Sequence, residues 1–91
     1  MSGPRMHDPK EKQAMLARLA RVEGQVRALQ RMIGRDEECE AVAQQLSASR
    51  KALDRAFYEM VACMIRHGAQ ARGGARVAGA GQVADLLARY A

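Results

Sequence analysis

The sequence predicts an all-α protein with two long antiparallel helices followed by a short C-terminal helix. At 91 residues, the chain is expected to form one domain. Its apolar residues are mainly Ala, Leu, Val and Met, with one Phe, two Tyr and no Trp, and this composition favours helices over strands. Both prolines precede residue 10, so long uninterrupted helices can follow.

Capping residues mark the start of the first helix. Asp8 offers an N-cap, Pro9 fits the first helical position, and Glu11 stands where a capping box needs its carboxylate. We therefore expect a disordered arm over residues 1–7 and a single helical domain over residues 8–91.

The body of the first helix is predicted over residues 9–33. Its apolar residues recur at alternating spacings of four and three, which is the pattern of a heptad seam. Gly34 is expected to end the helix in the left-handed conformation. The seam consists of Met15, Leu19, Val22, Val26, Leu29 and Ile33.

The second helix is predicted to begin at Asp36, a favourable N-cap, and to continue until Gly68. Its first turn is acidic, as the helix dipole favours. Its apolar stripe also alternates spacings of three and four. The stripe consists of Cys39, Val42, Leu46, Ser49, Leu53, Ala56, Met60, Cys63 and His67.

A Gly-rich segment over residues 68–81 predicts a flexible connector, which contains Arg72 and Arg76. An amphipathic pattern then predicts a short helix over residues 82–90. Its apolar residues are Val83, Leu86, Leu87 and Tyr90.

Oligomerisation is expected, because two long helices and one short helix cannot cover all of these apolar faces. A dimer that completes a four-helix bundle is the minimal arrangement.

The two thiols and one imidazole on the second helix could form a metal site between subunits. Cys39 and Cys63 are about 36 Å apart along the helix axis at 1.5 Å per residue, so they cannot meet within one chain. If the helix pairs antiparallel with its twin, Cys39 approaches Cys63 and His67 of the partner subunit. Cys63 and His67 have the spacing that directs two ligands to one ion, and soft thiolates favour Cu(I).

Other interpretations of these residues remain open. A lone Cys on an apolar stripe is commonly a small buried hydrophobe, and a His near a helix end also interacts with the dipole. Met64 could serve as a thioether ligand or fill the core, and His7 could bring a further imidazole from the arm.

The charge favours a nucleic-acid partner. The net charge is +5, and most of the basic residues are Arg, whose planar fork suits phosphate. No helix-turn-helix pattern is visible, but basic residues line the first helix and the middle of the second. No segment is predicted to cross a membrane or to direct export, so a reducing cytoplasm is expected.

The sequence resembles the CsoR/RcnR family of bacterial repressors. The resemblance lies in the stretch RVEGQVR at residues 21–27, in Cys39, and in QQLSASRKAL at residues 44–53. It implies an antiparallel dimer of the long second helices, a dimer of dimers, and operator DNA bound on a basic face. The residues that resemble the DNA-contacting ones of the family are Arg18 and Arg55, with Arg21 and Lys51 nearby, and all four are expected to contact DNA.

The sensor positions of the family match only in part. Cys39 stands at the near-universal cysteine, and His7 stands where nickel-type members carry a histidine in the arm. The next two ligand positions of the family fall on Met64 and Gly68, whereas Cys63 and His67 each lie one residue earlier. One residue rotates a side chain by about 100° around a helix, so the usual copper triad is not reproduced.

The sequence therefore predicts an effector-responsive repressor that is released from operator DNA by a metal ion at an inter-subunit Cys39 site. Cu(I) is favoured, Ni(II) or Co(II) is the next choice, and the fold itself needs no cofactor. The first alternative is a repressor that senses persulfide or oxidant by linking Cys39 to Cys63 of the partner subunit. An aldehyde sensor ranks lower, because Pro4 does not directly follow Met1. The second alternative is a helical metal or thiol buffer without a DNA role, and no enzyme motif is visible.

Overall fold

The computed structural model describes the backbone of residues 5–71 and 80–91, and it confirms the all-α prediction. The helices are α1 (Pro9–Gly34), α2 (Cys39–Ala71) and α3 (Ala80–Tyr90). The first two form an antiparallel hairpin, and α3 packs against α2. No described helix has the length and apolar character needed to cross a bilayer.

Helix α1 begins as the sequence predicts. Asp8 is the N-cap: its Oδ1 accepts a hydrogen bond of 2.9 Å from the backbone N–H of Lys10, and Pro9 takes the first helical position. The expected capping-box role of Glu11 is wrong. Both oxygens of its carboxylate instead contact side chains of α2, where the guanidinium group of Arg66 holds a carboxylate more strongly than a backbone amide does.

The turn between the helices differs from the prediction. Gly34 is the last residue of α1, and the left-handed residue is Asp36, with φ of 58°. The N–H of Glu37 donates to the carbonyl of Met32 at 3.0 Å, and that of Asp36 donates to the carbonyl of Ile33 at 3.1 Å. This pair of bonds is a Schellman motif, and it places the left-handed residue two positions after Gly34.

Asp36 is therefore not the N-cap of α2, since an N-cap residue has extended dihedral angles. Helix α2 begins at Cys39, and the carbonyl of Glu38 accepts the first bond, from the N–H of Val42 at 3.1 Å. The short polar side chain of Asp36 tolerates the left-handed region and takes the place of the usual glycine.

The predicted connector over residues 68–81 is partly helical. Helix α2 continues through Gly68 to Ala71, and α3 begins two residues earlier than expected, at Ala80. A glycine inside a helix costs only about 1 kcal/mol relative to Ala, and Gly68 is followed by good helix formers. Residues 72–79 of the connector and residues 1–4 of the arm lie outside the described part of the chain.

Each long helix carries two apolar lines with a seven-residue period, one facing into the hairpin and one facing out. The inner lines are buried: Met15, Val22 and Leu29 on α1, and Ser49, Ala56 and Cys63 on α2. The hydroxyl of Ser49 donates to the carbonyl of Gln45 at 3.0 Å, so its burial is compensated. The outer lines are exposed: Leu19, Val26 and Ile33 on α1, and Cys39, Leu46, Leu53 and Met60 on α2.

Exposed apolar lines of this length are typical of surfaces that meet another chain. A single hairpin buries only half of its predicted seams. The outer lines agree with the expectation of a dimer, which stays a prediction together with the dimer of dimers.

The turn geometry predicts that Gly34→Ala stabilises the protein. Gly34 is helical, and an added Cβ would meet no atom within 4 Å. The substitution removes backbone entropy from the unfolded chain and is expected to add about 0.5–1 kcal/mol to the free energy of unfolding. Urea denaturation followed by circular dichroism measures this difference.

Asp36→Val is the matched control, because a β-branched residue is disfavoured in the left-handed region, and it is expected to destabilise by roughly 1 kcal/mol or more. If Gly34→Ala were the more destabilising of the two, the assignment of the left-handed position to Asp36 would be refuted.

Candidate functional site

A cluster of three different ligand types lies where the beginning of α1 meets the later turns of α2. Oε1 of Glu11 is 2.7 Å from Nε2 of His67, and it accepts a hydrogen bond from Sγ of Cys63 at 3.5 Å. One ligand atom from each residue lies within 4.8 Å of the other two. The carboxylate, thiol and imidazole therefore converge on one point inside a single chain.

Arg66 holds the other oxygen of the same carboxylate. Its Nε donates to Oε2 of Glu11 at 2.9 Å, and its Nη2 lies 2.6 Å from that oxygen. The hydrogen bond with His67, followed by that from Arg66, lowers the pKa of Glu11 to about 2. Glu11 is thus a carboxylate whose two oxygens have separate partners.

The thiol of Cys63 is buried, with 3% of its surface exposed. Burial, and next the hydrogen bond to Glu11, raise the pKa of Cys63 above its ordinary value, because both favour the protonated form. The thiol is consequently held as an S–H donor to the carboxylate.

The antiparallel hairpin explains why these residues meet. Cys63 and His67 are one helical turn apart on α2 and point in similar directions. Glu11 and Cys63 lie at nearly equal distances along the chain from the turn between the helices, and such positions face each other in an antiparallel pair.

Sequence reasoning selected Cys63 and His67 but missed Glu11 as their neighbour, and it also missed Arg66. The equal distances from the predicted turn could have identified Glu11. Arg66 follows Cys63 by three residues on the same face of α2, so the helical period could have identified it once Glu11 was placed opposite.

The structure places the other predicted ligands away from this cluster. Cys39 is exposed at the first residue of α2, on the outer line, and it borders a surface depression with Ile33, Val42 and Leu46. His7 is exposed just before the N-cap of α1. Met64 is partly buried on α2 beside Cys63. Cys39 and Cys63 share an apolar stripe, yet they stand on its outer and inner lines respectively.

The four basic residues that are predicted to contact DNA line one groove between α1 and α2. Arg18 and Arg21 come from α1, Lys51 and Arg55 come from α2, and Gln25 lies among them. The groove has a volume of about 320 Å³. Nη2 of Arg18 also lies 3.9 Å from a carboxylate oxygen of Glu59, a long and exposed ion pair. Four cationic side chains from two helices therefore form one positive surface.

The structure is thus a helical hairpin with a cluster of potential metal-ligand residues at one end and a separate basic groove. The family model described as "Metal-sensitive transcriptional repressor" matches residues 11–89, and the chain belongs to this family. The description of this family names transcriptional repressors and not enzymes, in agreement with the sequence-based expectation.

The chain is also similar to two curated proteins of Escherichia coli. These are the transcriptional repressor RcnR homolog of serotype O139:H28 and the transcriptional repressor RcnR of serotype O9:H4. Each is 38% identical over 55 residues, which cover 60% of this chain and 61% of the relative. The alignment thus spans less than two thirds of either relative. No solved structure matches the chain significantly.

The electrostatics of the cluster predict a pH-dependent effect of Glu11→Gln on stability. The pKa of Glu11 is lowered from 4.5 to about 2 on folding, so its ionised form stabilises the protein fully above pH 4.5. This contribution is lost as the pH falls from 4.5 towards 2. The deficit in free energy of unfolding of Glu11→Gln relative to the wild type should therefore be largest near neutral pH and should shrink in acid.

Urea denaturation at several pH values measures this deficit. Glu59→Gln is the matched control, because its carboxylate is half exposed and forms a long ion pair with Arg18, which contributes little to stability. A deficit for Glu11→Gln that is the same at all pH values, or no larger than that of Glu59→Gln, would contradict the assigned network.

Proposed function

We propose that the protein is a cytoplasmic transcriptional repressor that binds operator DNA and releases it when a metal ion binds at an inter-subunit site that includes Cys39. The observation that carries the proposal is the convergence of Arg18, Arg21, Lys51 and Arg55 on one groove, in a chain of the metal-sensitive repressor family. Double-stranded DNA is the partner that this positive surface fits best.

The groove suits phosphate contacts more than base reading. Arginine guanidinium groups bind phosphate through two parallel hydrogen bonds, and the overall charge of +5 adds a long-range attraction. Contacts of this kind position a protein on DNA, whereas sequence preference comes from DNA shape and a few base contacts.

DNA binding is expected to weaken steeply with salt and to depend on Arg55. Each phosphate contact contributes about 0.9 to the slope of log affinity against log salt, so Arg55→Ala should reduce affinity and lower that slope by roughly 1. Fluorescence anisotropy with a duplex that the protein selects from a random-sequence library measures both quantities.

Arg89→Ala is the control for this prediction, because Arg89 is an exposed arginine in the last turn of α3 that does not line the groove. DNA affinity that is indifferent to salt and to Arg55→Ala would refute the DNA-binding proposal and favour a metal or thiol buffer.

The position of Cys39 supports a site shared between subunits. Cys39 is exposed on the outer line of α2, together with Leu46, Leu53 and Met60. If these outer lines meet in an antiparallel dimer, the beginning of one α2 lies beside the end of the other, where Cys63 and His67 of the partner subunit are found. His7 and Met64 are the further candidates for ligands at this end.

The ligand set decides the metal. Two thiolates and an imidazole favour Cu(I), whereas a set that includes the carboxylate of Glu11 favours divalent ions such as Ni(II) and Co(II). Binding of the ion to the DNA-free conformation would lower DNA affinity, and linkage requires DNA to lower metal affinity by the same factor.

Metal-induced release predicts that Cu(I), Ni(II) or Co(II), added anaerobically, reduces DNA affinity by about 5- to 150-fold, the usual range of allosteric coupling. Cys39→Ala is expected to keep DNA binding and to lose the release. Anisotropy competition with and without each ion checks this expectation. Release by a persulfide donor but by no metal, with a Cys39–Cys63 crosslink in the mass spectrum, would establish the dithiol alternative and contradict the metal proposal.

A further inference from the structure

We propose that Glu11, Cys63 and His67 of one chain form a three-ligand site for a divalent ion of borderline softness, Zn(II), Co(II) or Ni(II), which binds without Cys39. The inference goes beyond the proposed function, because this site lies within one chain and does not use the inter-subunit position of Cys39. The ligand set differs from the predicted one by including Glu11, which links α1 to α2.

The contacts that Glu11 makes with Cys63 and His67 lie within about 1 Å of the separation between ligand atoms in a tetrahedral site. Metal–ligand bonds of 2.0–2.3 Å place neighbouring ligand atoms roughly 3.5 Å apart. The contact between Sγ of Cys63 and Oε1 of Glu11 already has this length, 3.5 Å. The contact of 2.7 Å between Glu11 and His67 must open by less than about 1 Å, which a small side-chain rotation provides.

The donor chemistry favours divalent ions. A thiolate and an imidazole are the usual ligands of Zn(II), and carboxylates complete many of its sites. A hard carboxylate is a poor ligand for Cu(I), which prefers thiolate and thioether sulfur. On binding, the Cys63 thiol releases its proton to solvent and its sulfur forms the bond to the ion, so no oxidant or reductant is needed.

Arg66 provides the second-shell support that metal carboxylates need. It holds Oε2 of Glu11 through its guanidinium group, and this leaves Oε1 directed at Cys63 and His67. Ligating carboxylates in metal sites are oriented by hydrogen bonds of this kind. All three ligands also stand on long helices and not on loops, so the site is largely preformed.

Solvent can reach the cluster. A cavity of about 70 Å³, lined by Met6, Glu11, Met15 and Arg66 among others, opens beside the carboxylate. His67 and Glu11 are themselves partly exposed. An ion can therefore enter, and a fourth coordination position stays available to water or to Cys39 of a partner subunit.

The test is an anaerobic Co(II) titration of the full-length, reduced, DNA-free protein. We expect one Co(II) per chain, with visible d–d bands and a near-ultraviolet thiolate-to-cobalt charge-transfer band. Cys39→Ser is expected to retain the charge-transfer band at the same stoichiometry, and Cys63→Ser is expected to lose it. Glu11→Gln should weaken Co(II) binding by more than the roughly 10- to 100-fold that loss of a second-shell partner costs.

Glu59→Gln is the control variant, since this carboxylate lies on α2 near the cluster but pairs with Arg18. It should leave the Co(II) affinity unchanged. Circular dichroism of each variant separates loss of a ligand from loss of helix, and the comparison of Cys39→Ser with Cys63→Ser decides the question even if Glu11→Gln unfolds.

The proposal is overturned if the wild type shows no thiolate charge transfer, or if Cys39→Ser abolishes it while Cys63→Ser retains it. It is also overturned if folded Glu11→Gln binds Co(II) like the wild type, which would leave the cluster as an ion-pair network between helices. Because no DNA is present, these outcomes are independent of the DNA-binding test, which could fail while the site is confirmed.

Discussion

The structure depends on one constraint: each long helix carries two apolar lines, and a two-helix hairpin can bury only one of them. The seven-residue period places one line of α1 against one line of α2, and this contact forms the interior of the chain. The other lines stay at the surface, where a further hairpin could cover them. The hairpin therefore buries only part of the apolar surface of its helices. A second hairpin that covered the outer lines would create the sites between subunits that the proposed mechanism uses.

The same division separates the two cysteines. Cys63 ends the inner line of α2, so it is buried beside Glu11, and its thiol pKa is raised. Cys39 begins the outer line and is exposed. Two residues of identical chemistry thus take different roles, because one is enclosed by its own chain and the other faces outwards.

The basic groove and the Glu11 cluster belong to the same pair of helices. The groove is lined by side chains from both α1 and α2, and Glu11 joins α1 to α2 at one end of the pair. Packed helices shift as rigid elements, so an ion that alters the spacing at the cluster would also alter the spacing of the cationic side chains.

Local signals predicted the helices well and their ends less well. The N-cap Asp8 followed by Pro9, and the heptad spacing, are properties of neighbouring residues, and the structure agrees with them. The predicted roles of Gly34, Asp36 and Gly68 were wrong, because glycine permits a helix end without requiring one. A Schellman motif placed the left-handed residue at Asp36, and α2 continued through Gly68.

Composition and periodicity are enough to define the helical class, the two long seams, the excess of Arg and the placement of Cys63 and His67 one turn apart. The packing of α1 against α2 selects which line of each seam is buried, brings four basic residues to one groove, and places Glu11 beside Cys63 and His67. Periodicity specifies which residues share a face of one helix, but the facing residue of another helix depends on the turn and on the rotation of both helices about their axes. That rotation depends on how the two helices pack together, and the sequence of one helix taken alone does not specify it.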